Sequence, residues 1–555
     1  MNVISMNVIS INVISLLGLM ALLAVAWGLS YHRRQVLLRP VLWGLGLQFL
    51  LALIILRRDA WSFVGLTLLG LLVVSFLDQQ GSGAGQSIAT LGRAGWRRIA
   101  VLCAAALAAG GLLTLLPGRM LGALALALPV VLLAMAWRPP SRLRRRLGML
   151  WVVTGTAWVI QSQLYGFEVF QTLGEAITRF LNLASYGARF LFGNLADPDH
   201  FYPTAASWPG FGFQFAFYLL PVIIFFAAFM SVLYYFGIMQ RVIEGVSRFM
   251  RWTIGTSGVE TLSCSANMFI GQTEAPLLVR PYLATTTRSE LLTIMVGGFS
   301  TVAGSGLAVY AAMGMPAEHL LAASIMSAPA ALVIGKIIFP ELETSATSGV
   351  AELPEIDVGG NPIEAASNGI TDGLKLALNV GAMLIGFIAL IACIDVLLNF
   401  LDGLIDGRLL GGEVVAYAAN DLSPVTSEHR GVVPGSLRTL FGTLLAPLAW
   451  VMGVPWVDAA AVGHLLGVKL SLNEFVAYGL LQASLEDGSL SERSIIISTY
   501  ALCGFANFSS IGIQIGGLGA LAPERRSDLA RLGLRAMFGG ALASWLTATI
   551  AGILL

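Results

Sequence analysis

The sequence has little of what a soluble protein needs. Only 11% of its 555 residues are charged, against 57% hydrophobic, at a mean hydropathy of +0.81. Apolar runs near 20 residues recur from end to end, more than one aqueous core could bury, so the chain reads as an all-α polytopic membrane protein. The short alternating segments of a transmembrane barrel are absent, and backbone hydrogen bonds must then close within helices. Charge of one sign is lacking too: 32 basic and 31 acidic residues leave +1, which gives no sign of a nucleic-acid partner. The four cysteines, Cys103, Cys264, Cys393 and Cys503, lie in apolar segments without metal-ligand spacing. They read as small packing residues, and neither a disulfide framework nor a zinc site nor any cofactor is implied.

What charge there is falls in patches. Arginines cluster in "YHRRQVLLRP" (31–40), "GRAGWRR" (92–98), "RPPSRLRRRLG" (138–148) and "PERRSDLARLGLR" (523–535), which places these loops on the cytoplasmic side. Spans over 12–30, 41–56, 61–77, 98–116, 120–137 and 149–165 satisfy that rule, with Arg57 and Arg58 left on the outer side to snorkel. Further spans are expected at 211–237, 290–313, 317–338, 378–401, 494–517 and 533–554, about twelve in all. Residues 167–195 and "QRVIEGVSRFMRW" are too polar to cross lipid and read as interfacial amphipathic helices. The segments 340–365 and 405–433 read as cytoplasmic and outer loops. The opening "MNVISMNVISINVIS" writes one five-residue unit three times, a period that helix packing does not ask for. Without a basic leading region or a small-residue cleavage site, the run through Trp27 is taken as a retained first span.

Two apolar regions do not fit single spans. Residues 258–285 begin with Ser257 and Glu260 at capping-box spacing and break over Gly271 to Pro276 in "GQTEAPLLVRPYL". Residues 434–482 are apolar on both sides of "GVPW" (453–456), then carry "GVKLSLNEFVAY". Both read as re-entrant hairpins or broken helices, which membranes tolerate only where the freed backbone faces protein or a water-filled cavity. Glu274 and Glu474 each sit beside such a break, and a carboxylate at the bilayer centre costs roughly 3 kcal/mol or more. Paired broken helices with polar residues point to a transport site near the midplane. A third polar cluster, "CGFANFSSIG" (503–512), adds Asn507, Ser509 and Ser510.

The stretches "ANMFIGQTEAPLLVRPYL", "GVKLSLNEFVAY" and "ALCGFANFSSIGIQIGGLGALAPERR" resemble the concentrative nucleoside transporter family, whose signature G-x-K-x-x-x-N-E-F-V-A-Y is matched without a gap from Gly467. The resemblance covers residues 12–56 and 167–555; the stretch 57–166 departs from the bacterial pattern of eight spans, two re-entrant hairpins and three interfacial helices. It implies a homotrimer in the bacterial inner membrane, in which a scaffold holds a transport domain that moves elevator-fashion with nucleoside and cation aboard. The corresponding division of the chain is 1–56 (scaffold spans), 57–166 (inserted region), 167–256 (interfacial helices and a scaffold span), 257–339 (first hairpin and following spans), 340–433 (loop, scaffold span, outer loop) and 434–555 (second hairpin and final spans).

Within that frame Gln272, Thr273 and Glu274 face a nucleobase, whose edges offer donors and acceptors, with Gly306 beside it. Glu474 is the charge-assisted acceptor for vicinal ribose hydroxyls, joined by Asn507 and Ser510, with Phe505 as the apolar contact. For the coupling ion, the sodium-coupled pattern places ligands at Asn267 and Thr301 (side-chain oxygens) and Ile270 and Val302 (carbonyls). This favours sodium; the alternative is proton coupling through Glu274 or Glu474. Two glutamates would repel a phosphate, which favours nucleosides over nucleotides. One monovalent ion per nucleoside, moved through a tenfold gradient and 100 mV, supplies about 1.4 and 2.3 kcal/mol, enough for accumulation of roughly a few hundredfold.

Two other classes fit the residues less well. "GTSG" (255–258) loosely resembles the serine motif of rhomboid proteases and would need His464 as its base, but Ser257 is better explained as a helix cap and His464 as a packing residue. A passive channel would show no accumulation against a gradient. Lys469 is read as neutralising a carboxylate or capping carbonyls, and the insertion as packing peripherally on the scaffold.

Overall fold

The computed structural model describes residues 2–80, 88, 92–134, 142–196, 215–272, 274–347, 359–415 and 431–555. Thr273 and most of the two expected loops, 348–358 and 416–430, lie outside the described residues. The first helices are α1 (Asn2–Gly28) and α2 (Leu38–Leu56). The stretch expected to be inserted, 57–166, forms four helices: α3 (Ala60–Gln79), α4 (Arg93–Leu113), α5 (Gly118–Ala134) and α6 (Arg142–Gln161). Asp59 starts α3 by accepting from the Trp61 N–H at 3.2 Å, and pairs with Arg57, while the Arg58 guanidinium lies 3.8 Å over the Phe167 ring. The two arginines that fit poorly with the topology thus have local partners.

Amphipathic α7 (Gly166–Leu181) and α8 (Ala184–Phe192) come next, then the apolar α9 (Leu220–Tyr235) and the amphipathic α10 (Ile238–Ile254). Both segments expected to lie at the interface thus form amphipathic helices. Beyond α10 the helices become short and broken, as α11 (Gly258–Asn267), α12 (Arg288–Ser300) and α13 (Gly304–Ala312). The span α14 (Ala317–Ile338) and the 41-residue α15 (Pro362–Asp402) lead to α16 (Leu437–Val451) and α17 (Trp456–Ser471). The chain ends with α18 (Glu474–Glu486), α19 (Glu492–Leu502), α20 (Phe508–Leu521) and α21 (Arg526–Leu554).

Among the described residues, eight helical stretches are long and apolar enough to cross a membrane, or nine if the bent pair α16–α17, which turns through 116°, is one span. Four of the twelve expected spans are helical but outside that set. The described α5 is 17 residues, α6 carries Arg142, Arg144, Arg145 and Arg146 in its first turns, and the 494–517 span is broken into α19 and α20. The fourth is α15, whose stretch 376–394 has no charged residue.

Packing sorts the helices into groups. α12, α14, α19 and α21 form the buried centre, with about nine-tenths of the α12–α13 and α14 spans inside the protein. Helices α1 and α2 pack on α21 and α14, with Gly18 directly against the Val451 carbonyl at the end of α16 and Gly44 against Val333 of α14. Residues 1–56, expected in the scaffold, therefore pack on the buried centre. α9 and α15 instead pair with each other, through Gly369 and Gly373 set against the α9 backbone. The α3–α6 group packs mainly on itself and joins the rest through α2, α7 and α10, where Trp252 donates to Gln79 at 2.7 Å beside Phe76. Its two ends adjoin: Ser62 Oγ donates to the Ile54 carbonyl at 3.0 Å and accepts from the Gly166 N–H at 3.1 Å. The cysteines divide, with Cys264 and Cys503 buried, Cys103 half-buried and Cys393 on the exposed side of α15, so packing does not account for Cys393.

Candidate functional site

Four interruptions of helical backbone matter here. The first follows α11, where residues 268–272 and 274 leave the helix before a 3₁₀ turn (Ala275–Val279) and a short turn (Arg280–Leu283). The second is 301–303, between α12 and α13, with Thr301 extended. The third is 472–473, between α17 and α18, where Asn473 Oδ1 accepts the Val476 N–H at 3.0 Å and starts a new helix at Glu474. The fourth is 503–507, between α19 and α20, where Asn507 Oδ1 caps by accepting the Ser510 N–H at 2.8 Å. The second expected hairpin thus carries a break inside its signature as well as the one at 452–455.

These breaks converge. The Gly304 N–H donates to the Phe269 carbonyl at 3.3 Å, and the Phe505 N–H to the Thr301 carbonyl at 3.3 Å. Gly504, at φ +135°, lies so close to Phe299 that an added Cβ would be 2.7 Å from its carbonyl oxygen, which only glycine allows. Asn507 Nδ2 donates to Glu474 Oε2 at 3.3 Å and so joins the third break to the fourth. Backbone freed from helical bonding is thereby collected inside protein.

Glu474 is 2% exposed. Its second oxygen accepts from the Tyr310 hydroxyl at 3.3 Å, and Tyr310 in turn stacks on Tyr478 at 4.1 Å. Lys469, fully buried, donates to the Ala501 carbonyl at 2.8 Å, which is the carbonyl-capping role expected of it. Gln272 Nε2 donates to Ser510 Oγ at 3.4 Å, linking the first break to the fourth. Gly306 faces the Tyr310 ring, and Phe505 is half-buried at the break. Glu274 stands apart: it is exposed, with its carboxylate accepting from the Gly271 N–H at 3.4 Å and no bond to the Glu474 group among the described residues. Thr273 lies outside the described residues.

Asn267 and Thr301 approach each other around Gly297. Thr301 Oγ1 donates to the Gly297 carbonyl at 3.4 Å, and Asn267 Nδ2 lies 3.5 Å from where a Gly297 Cβ would be. Asn267 is fully buried; its Nδ2 donates to the Ser263 carbonyl at 3.1 Å, but its Oδ1 has no partner among the described residues. An unpaired buried carbonyl oxygen costs about 1–3 kcal/mol, an expense a bound cation would offset. Ile270 and Val302 are buried alongside. No cluster of three or more His, Cys, Asp or Glu occurs among the described residues, so a cation here would rest on neutral oxygens.

The ends of the first broken region are held by charge. Lys336 on α14 pairs with Glu260 at 2.7 Å and Glu341 at 3.1 Å and donates to Ser289 Oγ at 2.9 Å. At the other end Arg525 donates to the Thr286 carbonyl at 2.6 Å and the Ala284 carbonyl at 3.2 Å. No hydrogen bond joins Ser257 to His464 among the described residues, and the Ser257 N–H donates to Glu260 at 2.8 Å, as a cap does. The aromatic Tyr310 and the amide Gln514, whose Nε2 donates to Gln272 Oε1 at 3.1 Å, were not singled out from sequence.

Broken helices meeting around a buried carboxylate and an unpaired oxygen fit the site of a multi-pass membrane transporter. Family models agree along most of the chain: "Na+ dependent nucleoside transporter N-terminus" matches residues 17–85, "Nucleoside recognition" (Gate) 216–317 and "Na+ dependent nucleoside transporter C-terminus" 319–552. A Haemophilus influenzae protein described as an uncharacterized transporter is 43% identical over 76% of this chain and 95% of its own. The mouse sodium/nucleoside cotransporter 1 is 41% identical over 70% of this chain, which spans 56% of that protein. Among solved structures, CNTnw in an inward-facing substrate-bound state matches at TM-score 0.68 and 31% identity, covering 98% of both chains, and an outward-facing variant at TM-score 0.67 and 31% identity, also covering 98% of both. The chain belongs to the concentrative, Na+-dependent nucleoside transporter family.

Proposed function

We propose that the protein imports nucleosides such as uridine or adenosine across the bacterial inner membrane, driven by sodium. The observation that carries this reading is the buried Glu474 carboxylate, held by Tyr310 and Asn507 where four helix breaks meet. An arriving ribose can replace or share those two long hydrogen bonds, and its hydroxyls gain a charged acceptor. Asn507, Ser510 and Phe505 complete the sugar side; Gln272, Thr273, Glu274 and Gly306 form the base side. Sodium travels on the Asn267 and Thr301 side-chain oxygens with the Ile270 and Val302 carbonyls, and the unpaired Asn267 Oδ1 supports that set.

The packing groups support an alternating-access reading. The pair α9–α15 serves as the stationary scaffold of a homotrimer, and the broken helices with α12, α14, α19 and α21 move as one elevator body, tied together by Lys336 and Arg525. The packing of α1 and α2 on α21 and α14 supports counting them with the moving body. Uptake of radiolabelled uridine and adenosine into proteoliposomes tests the proposal. Accumulation with an inward sodium gradient, lost when that gradient is collapsed, is the expected result. Accumulation driven by a proton gradient alone would transfer the coupling role to a carboxylate, and equilibration without accumulation would make the protein a channel.

A further inference from the structure

Gln514 lies on α20, one turn beyond Ser510, and is 1% exposed. Its Nε2 donates twice, to the Met295 carbonyl in the middle of α12 at 3.1 Å and to Gln272 Oε1 at 3.1 Å. A backbone carbonyl can only accept, so Met295 fixes which end of the Gln514 amide faces it. The Gln514 amide group then presents its remaining N–H to Gln272, which must turn its own oxygen inward. Gln272 Nε2 is thereby left facing outward, towards Ser510 Oγ at 3.4 Å. Gly298 makes room for this chain: an added Cβ there would sit 2.4 Å from Gln514 Nε2 and 3.1 Å from Gln272 Cβ. Gln514 Oε1 is buried and unpartnered among the described residues, so the orientation is set by its donors alone.

We infer that Gln514 is a positioning residue that sets the polarity with which Gln272 meets the nucleobase. The inference rests on the nucleoside-site reading above. The relay runs one way, from a main-chain carbonyl through two amides, and its output is a hydrogen-bond donor. Uridine and cytidine differ by the swap of a carbonyl and ring N–H for an amino group and bare ring nitrogen. A donor fixed at Gln272 discriminates between them, whereas a freely rotating amide does not.

The test compares uridine and cytidine uptake in wild type, Gln514→Glu and Gln514→Met, each confirmed to be inserted and monodisperse. In Gln514→Glu the partner group becomes an acceptor, Gln272 turns over, and the uridine-to-cytidine ratio of kcat/KM shifts by about tenfold, with the change in KM rather than kcat. In Gln514→Met, which keeps the volume and removes both donors, the ratio moves towards one. In a Gln272→Ala background neither change has a further effect on the ratio, which a merely structural role for Gln514 would not predict. An unchanged ratio in whichever Gln514 variant assembles overturns the inference while leaving the nucleoside site standing. A wild-type protein that binds neither nucleoside overturns both.

Discussion

Replacing Glu474 by glutamine tests the centre of the site with little change of shape. In the protein as it stands, two donors, the Tyr310 hydroxyl and Asn507 Nδ2, each lie 3.3 Å from one carboxylate oxygen. A carboxamide offers one acceptor, so one of the two must give way. The Tyr310 hydroxyl can rotate and accept from the new NH₂, which keeps the fold intact. What disappears is the charged acceptor for the sugar. Hydrogen bonds to charged groups contribute about 1.5–3 kcal/mol and neutral ones about 0.5–1.5. Two ribose hydroxyls together then lose about 2–3 kcal/mol, and KM for uridine rises roughly 30- to 150-fold. Uptake into proteoliposomes over a wide uridine range, beside nucleoside-induced thermal stabilisation of the purified variant, measures both consequences. A well-folded Glu474→Gln protein whose KM stays within about threefold of wild type would refute the assignment of Glu474 to the sugar.

Other substitutions separate the remaining roles. Asn267→Ala removes the unpaired oxygen and should raise the sodium concentration for half-maximal uptake by about tenfold, the equivalent of about 1.4 kcal/mol, with little change in thermal stability. Lys336→Met leaves Glu260 and Glu341 without their counter-ion and should destabilise the protein by about 3–5 kcal/mol, whereas Arg179→Ala, which breaks the exposed pair with Glu175, should change the melting temperature hardly at all. Excising α3–α6 and joining residue 57 to residue 165 through a short linker should leave sodium-driven uptake within about threefold, because the Ile54 and Gly166 backbones already touch. Loss of transport by such a protein, correctly inserted and trimeric, would show that the inserted helices have a part in transport.

Much of this architecture is visible in the sequence, for physical reasons that differ by element. Spans announce themselves through hydropathy because lipid demands it, and Pro276 and Pro281 mark the first break because neither can donate a helical bond. Glu474, Asn507 and Ser510 stand out because polar groups in hydrocarbon need partners. The break at 472–473 is harder to see: Ser471, Leu472 and Asn473 include neither Gly nor Pro, and only the capping residue Asn473 betrays a new helix start. Tyr310 and Gln514 are missed for another reason. One aromatic or amide in an apolar run looks like an interface anchor or a filler, and its role exists only through contacts with residues some 160 to 240 positions away. The grouping of α1 and α2 with the hairpins is likewise tertiary information, since apolar helices carry no label for the neighbour they choose.

The attachment of the inserted helices to α2 bears on how fast the protein can work. If α2 shares the excursion of the substrate-carrying half, the α3–α6 helices joined to it must be hauled along with it. Viscous resistance from the bilayer then scales with that added perimeter, so turnover in this chain should respond more steeply to acyl-chain fluidity than in a relative without the extra helices.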